Sequence, residues 1–215
     1  MMKNPPRYIV VDGPIGVGKT SLCKRLANTF GYQAMLENAE TNPFLGRFYQ
    51  NRKDNALATQ LFFLFQRTQQ LQNLLQTDLF EPHVVADYLF DKDDLFAQIN
   101  LDEDEYKLYR SVYQKVETDH PKPDLVVYLQ APVDVLMQRI QQRGINEEQA
   151  IERRYLEQLN EAYSQFFLYY DGAPLLIVNA EQIDLANSQR DYEHFVDYML
   201  TIKNGRHFYN PTIFS

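Results

Sequence analysis

Cysteine is almost missing from this chain: Cys23 stands alone among 215 residues. That excludes an intrachain disulfide and any cysteine-built metal site, and suits a reducing, cytoplasmic setting. The histidines, His83, His120, His194 and His207, show no ligand spacing such as HExxH, so zinc chemistry has no foothold. Positive charge is in deficit, with 21 Lys plus Arg against 29 Asp plus Glu, a net charge of −8 and a pI near 5.0. Such a balance argues against binding a nucleic acid polymer, while leaving room for a local basic site that holds phosphates. No run approaches the roughly 20 apolar residues that span a membrane. The opening MMKNPPRYIVVDGP lacks the long apolar region of a cleaved signal. There is no linker, repeat or low-complexity tract. The 45% hydrophobic fraction points to one globular domain over residues 1–215.

What is present is an alternation of short apolar runs with amphipathic stretches. Arg7 to Asp12, Gln33 to Leu36, His83 to Ala86, Leu125 to Leu129 and Leu175 to Val178 read as strands. Between them, helices are expected after the first glycine loop up to Gly31, from about Asp54 to Leu79, and from Asp102 to Thr118. Further helices are expected from Pro132 to the Gly144 interruption, from Glu147 to Tyr169, and from Tyr192 to Ile202. The last dozen residues look irregular. This is an α/β pattern, with five parallel strands joined by crossovers.

Gly13-Pro14-Ile15-Gly16-Val17-Gly18-Lys19-Thr20 matches GxxxxGK[ST] in full, with a strand before it and a helix after it. Backbone N–H groups of such a loop surround phosphate oxygens, and the helix start adds unpaired donors. Lys19 is expected on the β- and γ-phosphates and Thr20 on Mg²⁺. Glu37 follows the second strand, at the sheet edge where ligands bind, and is the candidate base for an attacking hydroxyl; Glu40 competes with it. Asp87 ends the third strand and is a candidate for Mg²⁺ or the acceptor hydroxyl. Asp12 offers either an outer-sphere metal role or a cap for backbone N–H groups. Arg139 and Arg143 share a helix face beside Gly144, as cations over a transferred phosphoryl group in a closing lid would; a solvated face laced with acids is the other reading. Arg153 and Arg154 follow nearby. Gln60 and Arg67, polar within an apolar helix, need partners and could read a base edge.

Taken in order, GPIGVGKTS, LENAETNPFLGRFY, ATQLFFLFQRTQQL, VVADYLFDKDDLFA, VVYLQAPVDVLMQRIQQRGINEEQ and YLEQLNEAY resemble the deoxyribonucleoside kinases. Among these the bacterial deoxyguanosine and deoxyadenosine/deoxycytidine kinase branch is most similar. The resemblance covers about residues 7 to 200. It implies a three-layer α/β/α phosphate-loop kinase fold with a helical lid at about 139–150, ATP (or another NTP) with Mg²⁺ as donor, and a place in nucleotide salvage. A purine deoxynucleoside or deoxycytidine is the implied acceptor, and pairing as a homodimer through helices is implied as well. By the same resemblance Glu37 is the general base, Tyr49 and Glu148 lie near the sugar 3′-hydroxyl, and Gln60 reads the nucleobase with Arg67 further along. Arg139 and Arg143 face the donor phosphates.

Three departures stand out. Ala86-Asp87-Tyr88 replaces the Glu-Arg-Ser or Asp-Arg-Thr of many relatives, so an arginine is missing beside Asp87, although the bacterial branch itself resembles the ADY pattern. Ile145 stands where a third lid arginine is usual. Lys92 lies near where some pyrimidine-using relatives carry an acid. Two alternative functions follow: a nucleoside monophosphate kinase, such as a thymidylate-like one, which would want that missing arginine, or a nucleotide-binding regulatory module without transfer.

Overall fold

The computed structural model describes residues 5–77, 83–116 and 121–210. Its β-strands are β1 (Tyr8–Asp12), β2 (Gln33–Met35), β3 (Val84–Ala86), β4 (Leu125–Gln130), β5 (Leu175–Asn179) and β6 (Arg206–Tyr209). They form one six-stranded sheet in the order β2-β3-β1-β4-β5-β6, with every pairing parallel. The expectation of five strands is therefore corrected to six. The extra strand is RHFY near the C-terminus, read from sequence as irregular. It sits at the sheet edge and only Tyr209 is buried, so it lacks the continuous apolar run that marks a central parallel strand.

The helices are α1 (Lys19–Phe30), α2 (Leu45–Gln50), α3 (Arg52–Thr77), α4 (Asp93–Asn100), α5 (Glu103–Val116), α6 (Val133–Arg143), α7 (Arg153–Tyr169) and α8 (Gln189–Met199). The short helices α2 and α4 were not expected, because neither is long enough to show a helical repeat. The expected ends at Leu79 and Thr118 lie outside the described residues. The helix expected from Glu147 starts only at Arg153; residues Glu147–Ala150 form a 3-10 turn instead.

Strand alternation divides the core. Ile9 and Val11 of β1 face one cluster with Leu22 and Leu26 of α1, Leu136 and Ile140 of α6, and Phe195 of α8. Tyr8 and Val10 face the other, with Leu64 and Leu71 of α3, Tyr109 and Tyr113 of α5, and Phe167 of α7. Helices thus cover both faces of the sheet. Cys23 is fully buried in the first cluster and its Sγ lies 3.2 Å from the Val85 carbonyl oxygen, a packing role.

Candidate active site

The sheet register builds the site. Met35 pairs with Ala86 on neighbouring strands, and Val10 pairs with Ala86 on the other side. Asp12, Glu37 and Asp87, each at or just past a strand's carboxyl end, therefore emerge together where open parallel sheets place ligands. The Glu37 N–H donates to Asp87 Oδ1 at 2.7 Å, which ties the two acids together. Glu40, the competitor, is exposed.

One cavity is lined by Lys19, Thr20, Glu37, Asp87 and Lys92, and also by Gln60, Arg67 and Tyr49. Arg67 is buried on α3. Its Nε donates to Glu37 Oε1 at 2.8 Å, a second nitrogen contacts the same oxygen, and a third contacts Asp93. Burial alone would raise the Glu37 carboxyl. Arg67, Lys92 and Lys19 outweigh it and hold Glu37 below the usual carboxylate range. Asp87 goes the other way: burial raises it, although the Thr20 hydroxyl donates to its Oδ2 at 2.6 Å. Burial, with Lys92 nearby, lowers the Lys19 ammonium. Lys19 Nζ folds back to the Pro14 carbonyl at 3.2 Å. Burial lifts the Tyr49 phenol, helped by Tyr155, Glu148 and Glu37. Gln60 is buried and its Nε2 has no hydrogen-bond partner among the described residues. A buried amide without a partner is costly unless a ligand supplies one.

A second cavity, of about 520 Å³, lies outside the glycine loop, against Gly16, Val17, Gly18, Arg139, Arg143 and the segment after β5. Gly13, Gly16 and Gly18 all have positive φ, the conformation that winds the loop around an anion. Arg143, which follows Arg139 by one helical turn, lines both cavities and pairs with Glu148. Arg139 lines only the outer one. Its guanidinium donates to the Val17 carbonyl at 3.3 Å and to the Ala180 carbonyl at 2.7 Å, bridging the glycine loop and the segment after β5. The structure thus brings Lys19, Thr20, Glu37, Tyr49, Gln60, Arg67, Asp87, Arg143 and Glu148 to one cavity and leaves Arg139 beside it.

Sequence reasoning missed the buried Asp12–Lys92–Tyr163 network. Lys92 Nζ lies 2.9 Å from Asp12 Oδ1 and 2.6 Å from the Tyr163 hydroxyl. Asp12 also accepts from the Gly13 N–H at 2.6 Å and the Leu89 N–H at 2.9 Å, which matches its reading as a cap for backbone donors. The only sequence signal was a lysine among three aspartates. Phe48, Phe63 and Phe96, the phenylalanine rings on the cavity wall, were legible only as part of the general aromatic content.

A family model described as deoxynucleoside kinase matches residues 9–202. The chain is 32% identical over 201 residues to a deoxyguanosine kinase of Bacillus subtilis, covering 91% of this chain and 97% of that one. It is 29% identical to a deoxyadenosine/deoxycytidine kinase of the same organism, covering 90% and 92%. Among solved structures, deoxyadenosine kinase from M. mycoides with products dCMP and dCDP superposes with a TM-score of 0.77 at 25% identity, covering 91% of this chain and 100% of that one. The same kinase with dATP gives 0.75, covering 90% and 98%. With the family model spanning nearly the whole sheet and its helices, the chain belongs to the deoxynucleoside kinase family.

Proposed function

We propose that the protein transfers the γ-phosphate of ATP, or another NTP, to the 5′-hydroxyl of a purine deoxynucleoside or deoxycytidine. The observation that carries this reading is one cavity that holds Lys19 and Glu37 together with the unpartnered amide of Gln60. A triphosphate on the glycine loop and a nucleoside with its base against Gln60 would then meet at Glu37. The M. mycoides relative holding dATP supports a deoxynucleotide-sized ligand here.

In this reading the loop 13–20 holds the phosphates through backbone N–H groups, and Lys19 leaves the Pro14 carbonyl to reach them. The 5′-oxygen attacks the γ-phosphorus as its bond to the bridging oxygen breaks. The hydroxyl proton passes to Glu37, and ADP leaves. A carboxylate held low by Arg67 is fully ionised but a weak base, so most of the rate comes from positioning and charge rather than early proton removal. The oxygen donors of Thr20 and Asp87 suit Mg²⁺, a hard cation, and would hold it there. When bound, Mg²⁺ neutralises phosphate charge. Arg143 and, from the outer cavity, Arg139 face the donor phosphates. Tyr49 and Glu148 take the sugar 3′-hydroxyl, and Arg67 stands by the base and Glu37.

The segment at about 139–150 acts as a lid on a single domain, 1–215. The exposed Phe65 on α3 and Leu108 on α5 support a homodimer through these helices. No helix among the described residues is long and apolar enough to cross a membrane. We place the enzyme in the cytoplasm, where its nucleotide substrates would be found.

The test is a panel of the four deoxynucleosides and their monophosphates with ATP and Mg²⁺, run on wild type and Glu37→Gln. The expected result is 5′-monophosphate from wild type and a kcat loss of about 10²–10⁴-fold in the variant. Near-normal turnover by Glu37→Gln removes that residue from the mechanism. Triphosphate binding with no product from any acceptor would leave a regulatory module as the better reading.

A further inference from the structure

Lys92 is the least expected charge in the molecule. It is 1% exposed, yet it sits on the wall of the cavity shared by Lys19, Glu37 and Asp87. The chain reaches it by a tight route. After β3, Leu89 donates its N–H to Asp12, and the turn Phe90–Lys92 swings the lysine back under the glycine loop. There Asp12 and the Tyr163 hydroxyl take two of the three N–H donors of the ammonium. The rings of Phe96 and Tyr163 flank it, each centroid 5.0 Å from Nζ.

Stability alone is a poor reason for this arrangement. Burying an ion pair costs about as much in lost hydration as the attraction returns. Asp12, moreover, already has the Gly13 and Leu89 N–H groups and the Tyr163 hydroxyl as partners. The local charge count gives a better reason. The carboxylates of Glu37, Asp87 and Glu148 line the cavity, with Asp12 and Asp93 buried against Lys92 and Arg67, and the cations on its wall are Lys19, Arg67, Lys92 and Arg143. Arg67 is fully engaged with Glu37 and Asp93. Without Lys92, a site that must admit a triphosphate would keep Arg67 and Arg143 already paired with acids, Lys19 as its remaining cation and Asp12 unneutralised, and Asp87 has no arginine beside it in the sequence.

We propose that Lys92 is a positioning residue of the phosphoryl-transfer site, a fixed buried ammonium that offsets the acids on the acceptor side and so holds Glu37, Lys19 and the transferred group in a productive arrangement. It takes up, from the turn after β3, the charge that the position beside Asp87 lacks. This rests on the kinase reading above.

Lys92→Gln tests it, because an amide keeps hydrogen bonds to Asp12 and Tyr163 but removes the charge. With saturating ATP, Mg²⁺ and whichever deoxynucleoside wild type uses best, kcat should fall about 100-fold while both KM values stay within about threefold. A kcat within about threefold of wild type overturns the proposal, as does an effect confined to KM, which marks a ground-state contact. If Lys92→Gln does not fold, Asp12→Asn/Lys92→Met is compared with Asp12→Asn. A further loss of at least about tenfold in kcat supports the proposal, and equality overturns it. Failure of both Lys92 variants to fold assigns the residue to stability and likewise overturns it. Wild type that phosphorylates no deoxynucleoside refutes the kinase reading itself, an outcome distinct from all of these.

Discussion

The two sides of the glycine loop are built differently. On the acceptor side, charges are buried and paired with one another: Arg67 with Glu37 and Asp93, and Lys92 with Asp12. On the side we propose for the donor, Arg143 is 44% exposed, with the mostly buried Glu148 as its ion partner, and the residues around it, 141–147, are all exposed. The pocket we propose for the acceptor has its charges already paired by the fold, as electrostatic catalysis requires. The donor side keeps its cation on a surface segment that can change partners at little cost, which suits a lid. One half of the site is therefore part of the fold, and the other half is an attachment to it.

Breaking the buried side should give the largest effect. Arg67→Met leaves Asp93 and Glu37 without their shared cation in an enclosed site, and removing one partner of such a network costs about 3–5 kcal/mol. Chemical denaturation should show that loss, and turnover should fall with it. Arg143→Ala should separate the two quantities. Its midpoint of unfolding should move far less, because Arg143 itself reaches solvent and a partly screened pair contributes little, whereas kcat should drop about 10²-fold if the guanidinium stabilises the transferring phosphoryl group. Equal damage to stability in both variants would erase the contrast between the two sides.

Much of this division was legible in the sequence, and the reason is local. The glycine loop, the strand before it and α1 are consecutive residues, so motif and periodicity identify them together. Glu37 and Asp87 were legible because strand ends are visible in a sequence and parallel sheets gather such ends at one edge. The Lys92 network was not. It joins Asp12, Lys92 and Tyr163, separated by as many as 151 residues, and a lysine in an acidic stretch reads as a solvated surface. Arg139 parts from Arg143 for a related reason. Helical spacing puts it on one face with Arg143, but the carbonyls of Val17 and Ala180 that engage it come from distant loops. The sixth strand escaped because edge strands need no apolar run.

Smaller changes at the proposed lid refine the contrast. Gly144 ends α6 with φ +69, and a Cβ there would meet nothing within 4 Å. Gly144→Ala should then cost only the backbone penalty of about 1–2 kcal/mol for a left-handed residue, with no steric surcharge. A larger loss in kcat than in stability would show that the bend at residue 144 changes during turnover. The smallest effect belongs to Arg153. Although it lies ten residues beyond Arg143 in the same basic stretch, it pairs with Asp134 at 2.6 Å and Glu157 at 3.0 Å on the outer surface and lines neither cavity. Arg153→Ala should leave kcat/KM within about twofold of wild type at any deoxynucleoside concentration, because an exposed, screened charge outside the site supplies no differential stabilisation of the transition state. A loss comparable to that of Arg143→Ala would mean that the lid acts through its summed positive charge. Placing one guanidinium over the phosphates would then no longer explain the donor side.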